Sequence, residues 1–345
     1  MIERIEFFIL LIEVRAVQWS RSIHPVVKMS PSAVSSLRVA AVPLVSRPGD
    51  SLHNVARIVD CLALAAQHEI VLAVFPETCI SGYASLTKLH RAELDALAEP
   101  LDGPSVSAVA DAVERFGVAA GVGFIERAAD GQLFNSYAVC LPGGARHCHR
   151  KLHAFEHRRI SSGDRFTVFD TAWGVRVGIL IGGDNCLVEN MRMTALMGAT
   201  LLLAPHCGDG VNRSGDRSAQ PVSVEQSIRY RLPARAADNG MFVVFSEGVE
   251  AAGPERPGGA GMIVDPCGRV LAESGAQDAL VSASLETGLI DGSAGRQWLL
   301  ARRPELYGLL TRSGHHAADF EPRSVSSRGG IAISFAQVRR DRPIR

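Results

Sequence analysis

The chain has 345 residues, 47% of them hydrophobic, and its 36 Lys plus Arg are balanced by 36 Asp plus Glu. That length and apolar content allow a large core in one large domain or two ordinary ones. Zero formal net charge speaks against a nucleic-acid partner and against a general pull toward anionic membranes.

Residues 1–36 read as a poorly ordered extension before the domain, or as upstream sequence with Met29 as the true start. Within it, Phe7 to Ile12 is too short for a membrane span or a secretory signal, and Glu6 and Glu13 flank it. Residues 37–42 predict a strand. Residues 52–67 carry Val55, Ile58, Val59, Leu62, Ala65 and Ala66 at helical spacing. Residues 70–75 form an apolar run ending at Pro76, which fits a strand buried on both faces or a buried helix. A helix over 105–116, a strand over 118–125 and a hairpin of 135–141 with 145–149 follow. Next come a strand at 175–181, a helix at 188–197 and a strand at 200–204. Residues 224–237 are helical in character, with Pro233 as a local objection. A strand at 241–246 and a hairpin of 262–265 with 269–272 complete the series. The unbroken alternation predicts one α/β domain over 37–320, its sheets covered by helices. The tail, 321–345, is basic and alternates at Ile331, Ile333 and Phe335. It reads as a solvated tail or an added strand, because no aromatic stacking platform accompanies its arginines.

Cys61, Cys79, Cys140, Cys148, Cys186, Cys207 and Cys267 are scattered, with no CxxC pair. They read as reduced thiols of a cytoplasmic protein. His147, Cys148, His149 and His153 form a cluster. They read as polar neighbours of Lys151, since zinc sites show tighter spacing and four ligands.

Three segments carry candidate chemistry. Phe75-Pro76-Glu77 places a carboxylate beyond the end of a buried strand, where sites in α/β sheets gather. Alone, it reads as a capping or loop carboxylate. Lys151 follows the hairpin, where an ammonium can stabilise an oxyanion. Alone, it reads as a surface charge. Residues 177–184 run from a strand into the turn Gly182-Gly183-Asp184, with helical sequence after it. Such a strand–turn–helix presents a nucleophile above a sheet, or is a plain connection.

Together, the order and spacing resemble the carbon–nitrogen hydrolase (nitrilase) family, whose members use a Glu–Lys–Cys triad. The family's elbow reads Ile-Cys-Tyr-Asp. Here it is Ile181-Gly182-Gly183-Asp184, then Glu189, Arg192, Gly198 and Ala199 at matching intervals. Glu77 before Gly82-Tyr83, Asn135-Ser136 before Lys151, and Glu156 before Gly163 extend the likeness. So do Arg235-Ala236 with Asn239, Asp265-Pro266-Cys267-Gly268 and residues 302–307.

The resemblance implies a four-layer αββα sandwich assembled as a homodimer or larger homo-oligomer. It implies hydrolysis of a small amide, nitrile or carbamoyl compound with no cofactor or metal. It makes Glu77 the base, Lys151 and the Gly183 N–H the oxyanion holders, and Glu156 the group that orients Lys151 or helps shuttle protons. It also asks for a thiol at 182, and Gly182 has none. Three readings follow: a hydrolase with glycine at its nucleophile position, a pseudoenzyme that binds a carboxamide-like ligand or a homologous subunit, or a site where Glu77 activates water. Cys186 is the candidate displaced nucleophile, its pKa expected to be lowered by a helix N-terminus, although the register fixes 182 as the elbow. Cys79 and Cys207 read as small apolar packing near the pocket mouth. Residues 206–221 are expected to shape the entrance.

Overall fold

The structure, a computed structural model, describes residues 36–82, 86, 89–207, 224–250, 259–274 and 280–311. The expectations for residues 1–35, Tyr83, 208–221 and 321–345 lie outside them. The chain divides into two compact units, Met1–Leu300 and Ala301–Arg345. In the second, two 3-10 turns span Pro304–Leu306 and Gly308–Thr311, and Arg302 lies over the Tyr307 ring.

The first unit begins with β1 (Ser36–Ala41), β2 (Val45–Ser46), α1 (Ser51–Gln67), β3 (Leu72–Val74), α2 (Arg91–Leu97) and α3 (Pro104–Phe116). Then come β4 (Ala119–Arg127), β5 (Leu133–Cys140), β6 (Arg146–Arg150), β7 (Ile160–Ser161), β8 (Val168–Asp170) and β9 (Arg176–Ile179). It continues with α4 (Val188–Leu196), β10 (Leu201–Cys207), α5 (Val224–Asn239) and β11 (Phe242–Glu250). It ends with β12 (Gly261–Val264), β13 (Val270–Glu273), β14 (Val281–Glu286), α6 (Leu289–Gly292) and α7 (Ala294–Leu300).

Among the described residues the strands form two sheets. One runs β14-β1-β3-β4-β5-β6 with β7 on β5, the other β13-β12-β11-β10-β9-β8 with β2 on β11. Side chains alternate across a strand, and that alternation builds four layers. Val39 and Ala41 of β1 meet Leu201 and Leu203 of β10 between the sheets. Ala40 and Val42 turn outward onto Ile58 and Leu62 of α1 and Val109 and Val113 of α3. Leu202 and Ala204 turn the other way, onto Met191 of α4 and Ile228, Leu232 and Ala236 of α5. Both sheets are therefore buried on two faces at their centres, which is why their strands read as continuous apolar runs. The expected αββα sandwich is the observed architecture. No described helix is long and apolar enough to cross a membrane.

Local differences have local causes. The run at 70–75 yields a strand of only three residues, because the Ile70 N–H turns back to the Ala65 carbonyl behind α1. Pro233 sits inside α5 without ending it. An interior proline costs about 3 kcal/mol, and the buried Ile228, Leu232 and Ala236, at about 1.5–3 kcal/mol for each large side chain, outweigh it.

Candidate active site

Four segments converge where the two sheets end. Tyr137 Oη lies 2.7 Å from the Phe75 carbonyl and 2.8 Å from that of Gly121, which fixes the end of β3. A Cβ on Gly121 would stand 2.6 Å from that ring, so the position must be glycine. The chain then turns sharply, with Thr78 at φ +45 and the Ile80 N–H on the Gly123 carbonyl at 3.1 Å. The turn points Glu77 inward, where it is 2% exposed.

Lys151 follows β6. Its N–H donates to the Asn135 carbonyl at 2.8 Å, and its carbonyl accepts from Gly163 at 2.7 Å. Its Nζ donates to Glu77 Oε1 at 2.7 Å and lies 3.3 and 3.4 Å from the two oxygens of Glu156. Asn135 Nδ2 donates to Glu77 Oε1 at 2.8 Å and also to Glu156 Oε1. The side chains of Glu77 and Glu156 are each 1% exposed, so two carboxylates share one ammonium and one amide out of water. Glu77 Oε2 accepts the Cys207 N–H at 3.2 Å. The His206 ring, stacked on Phe245, brings Nδ1 to 3.9 Å from the same oxygen.

Beyond β9 the chain makes a tight 3-10 turn over Gly182–Cys186, with Gly182 at φ +50. Asn185 Nδ2 ties it together by donating to the carbonyls of Leu180 and Gly182. The buried Asp184 carboxylate accepts the N–H groups of Leu152 and His153, each at 2.9 Å, and pairs with His153 Nδ1 at 2.8 Å. Asp184 therefore locks the elbow to the segment that carries Lys151. In the sequence it had marked register only. Its contact also holds the His153 pKa above the usual value.

Glu77, Lys151, Glu156 and Gly182 stand together. A Cβ built on Gly182 would lie 2.5 Å from Glu77 Oε2. One on Gly183 would meet no described atom within 4 Å, so the turn is open on that side. Cys186 differs from its expectation. It packs against the core under α4 and α5, and burial raises its pKa where a helix N-terminus was to lower it. The turn around it is 3-10, and α4 begins only at Val188. Cys79 belongs to the core under α1 and α3, its thiol pushed up to about 12 by burial. The bridging amide of Asn135 and the N–H of Cys207 leave no spacing signal in the sequence, because they reach Glu77 from β5 of its own sheet and from β10 of the other.

His147 and His149 share a strand face as expected. His147 stacks on Phe169 at 3.7 Å, and the buried His149 pairs through Nδ1 with Thr167. Among the described residues no group of three or more His, Cys, Asp or Glu is arranged to hold a metal ion. Burial lowers the His149 pKa to about 4. The unfolded chain therefore binds a proton here below the ordinary histidine pKa of about 6.5 that the fold refuses. Stability from this group is complete above that value and is lost as the pH falls toward 4, by about 3 kcal/mol. Urea unfolding at neutral and acid pH should show a shallower acid loss in His149→Gln. Equal losses in both proteins would refute the assignment.

The carbon–nitrogen hydrolase family model matches residues 38–292. An (R)-stereoselective amidase from Pseudomonas sp is 35% identical over 244 residues, 69% of this chain and 81% of that protein. A protein from Pseudomonas protegens described as a hydrolase in the pqqF 5' region is 31% identical, over 82% of this chain and 95% of its own. A solved amidase variant from Nesterenkonia AN1, of the nitrilase superfamily, superposes with a TM-score of 0.62 at 22% identity. That likeness covers 81% of this chain and 98% of the other.

Proposed function

This chain belongs to the carbon–nitrogen hydrolase family, and we propose that its pocket takes the C–N group of a small amide or nitrile between Glu77, Lys151 and Gly182. The direction of position 182 carries the reading. Its Cβ vector points at Glu77 Oε2, and the other oxygen of that carboxylate holds the Lys151 ammonium. A reacting carbon near 182 would have a base on one side and a cation on the other. Glu77 takes a proton from the attacking group and returns one to the departing nitrogen. Lys151, with the Gly183 N–H, stabilises the charge that develops on oxygen. Glu156 and Asn135 hold Lys151 and Glu77 in place.

Gly182 offers no side chain for a covalent intermediate. That glycine favours a second reading, a pocket that binds a carboxamide-like ligand without turnover. Both readings require the pocket to bind amides, which a melting experiment tests. A ligand at a hundredfold its Kd adds about 2.7 kcal/mol, a rise of several degrees for a protein of this size. Butyramide and related small amides and nitriles are expected to raise the melting temperature of the native chain, and to do so less in Glu77→Gln. A melting temperature unmoved by every such compound would reject the pocket. Ammonia release then separates turnover from binding alone.

A further inference from the structure

We propose that Cys207 is the nucleophile of this pocket, a thiol on β10 that Glu77 deprotonates and that attacks the carbonyl carbon of a small carboxamide in place of an elbow thiol. The inference rests on the pocket reading above. β9 and β10 are parallel neighbours with Ile179 opposite Leu203, so they run out at the same edge of the sheet. Gly182 lies just beyond β9, and Cys207 closes β10. The Cys207 N–H donates to Glu77 Oε2 at 3.2 Å, the oxygen that stands 2.5 Å from the Cβ position of residue 182. Residue 207 therefore begins within a hydrogen bond of the base.

The direction of its side chain follows from register. Cys207 is paired with Gly248 of β11, and paired residues on adjacent strands project to the same face. A Cβ on Gly248 would meet Pro76 Cβ at 2.7 Å, so that face is turned toward Pro76, the residue before Glu77. Cys207 is 7% exposed, which keeps bulk water from the thiol. The other cysteines are placed differently. Cys61, Cys79 and Cys140 belong to the core under α1 and α3, with Cys148 packed against it. Cys186 packs under α4 and α5, and Cys267 is exposed.

A separate feature points to the ligand. Asn135 is 1% exposed, and its Nδ2 is committed to Glu77 and Glu156. Its Oδ1 is buried with no partner among the described residues. An unmet buried acceptor is costly, and the N–H of a primary carboxamide would satisfy it. The ligand class is thus a small neutral primary amide, with its nitrogen toward Asn135 and its carbonyl oxygen toward Lys151.

The step balances without a co-reactant other than water. The Cys207 proton passes to Glu77, and an Sγ–C bond forms as the carbonyl oxygen takes up the electron pair, facing Lys151. The C–N bond then breaks as Glu77 returns the proton to nitrogen, and ammonia leaves. Water, deprotonated by Glu77, cleaves the thioester and releases the acid and the thiol.

Fluoroacetamide tests this on the native full chain. It loses fluoride as the S–C bond forms, and the thiol proton goes to the base. Labelling rates of each cysteine are read by peptide mass spectrometry. Cys207 labelling is expected to fall about 10²-fold in Glu77→Gln and to slow when butyramide competes, while Cys267 labelling does neither. Ammonia release by the native chain is expected to vanish in both Cys207→Ser and Cys207→Ala. Cys207 labelling that is indifferent to Glu77 and to butyramide would overturn the proposal, as would undiminished ammonia release in folded Cys207→Ser. Gly182→Cys treated in the same way separates the two claims. No Glu77-dependent labelling at 207 in the native chain, with such labelling at 182 in this variant, rejects Cys207 and keeps the pocket, whereas no such labelling at either position in either protein rejects both.

Discussion

In a Cys207→Ala background, Gly182→Cys is expected to raise amide hydrolysis by up to about 10⁶-fold, the factor lost when a hydrolase nucleophile is removed. The substitution meets two obstacles. At φ +50 a side chain costs about 1–3 kcal/mol of backbone strain, although nucleophile elbows are built on such strained turns. Its Cβ would also stand 2.5 Å from Glu77 Oε2, so the carboxylate must withdraw. The bond to yield is the 3.2 Å contact of Oε2 with the Cys207 N–H, because Oε1 is held by Lys151 and Asn135 at 2.7 and 2.8 Å. Withdrawal places Glu77 beside the new thiol as its base. Gly182→Ala carries the same strain and clash without the sulfur. Both variants should therefore melt a few degrees below the native chain, and only Gly182→Cys should gain activity. A folded Gly182→Cys that releases no ammonia from a broad panel of amides and nitriles would remove the hydrolase reading.

The sandwich was legible because its evidence is local and periodic. Runs such as 70–75 and 200–204 mark strands buried on two faces, and the helical spacing from Val55 to Ala66 marks the helix that covers one of them. β14 had the same kind of signal, since Val281, Ala283 and Leu285 alternate with Ser282, Ser284 and Glu286, yet it was not read. It pairs with β1, at the opposite end of the chain, so nothing beside it in sequence suggests a partner. The site divides along the same line. Glu77, Lys151 and Gly182 sit where strands end and could be placed by spacing. Asn135 and the Cys207 N–H act through contacts 58 and 130 residues away in sequence from Glu77, which only the folded chain reveals. Cys186 is the reverse case. Its sequence neighbourhood looked activating, and three-dimensional packing made it a half-buried thiol against the core.

Lys151→Met is expected to destabilise the protein by about 3–5 kcal/mol, the cost of removing one partner from a buried ion pair. The loss is large because a single ammonium serves two carboxylates, each 1% exposed, and among the described hydrogen bonds only the Asn135 amide and, for Glu77, the Cys207 N–H would remain to face them. Glu77→Gln should cost less, since Lys151 keeps Glu156 at 3.3 Å. The two changes should not add. With Glu77 neutral, Lys151→Met strands one carboxylate instead of two, so the double variant should be more stable than the sum of the single losses predicts. Urea unfolding of the four proteins measures the coupling. Additive losses, or a Lys151→Met variant within about 1 kcal/mol of the native chain, would mean that these groups are not held as the structure places them. A well-packed apolar replacement of a buried charge cluster is often neutral or stabilising, so stability alone does not explain why this chain keeps Glu77, Lys151 and Glu156 together. Under the proposed reading they are a base and a cation held at fixed distance on either side of a reacting carbon, an arrangement that here surrounds a glycine.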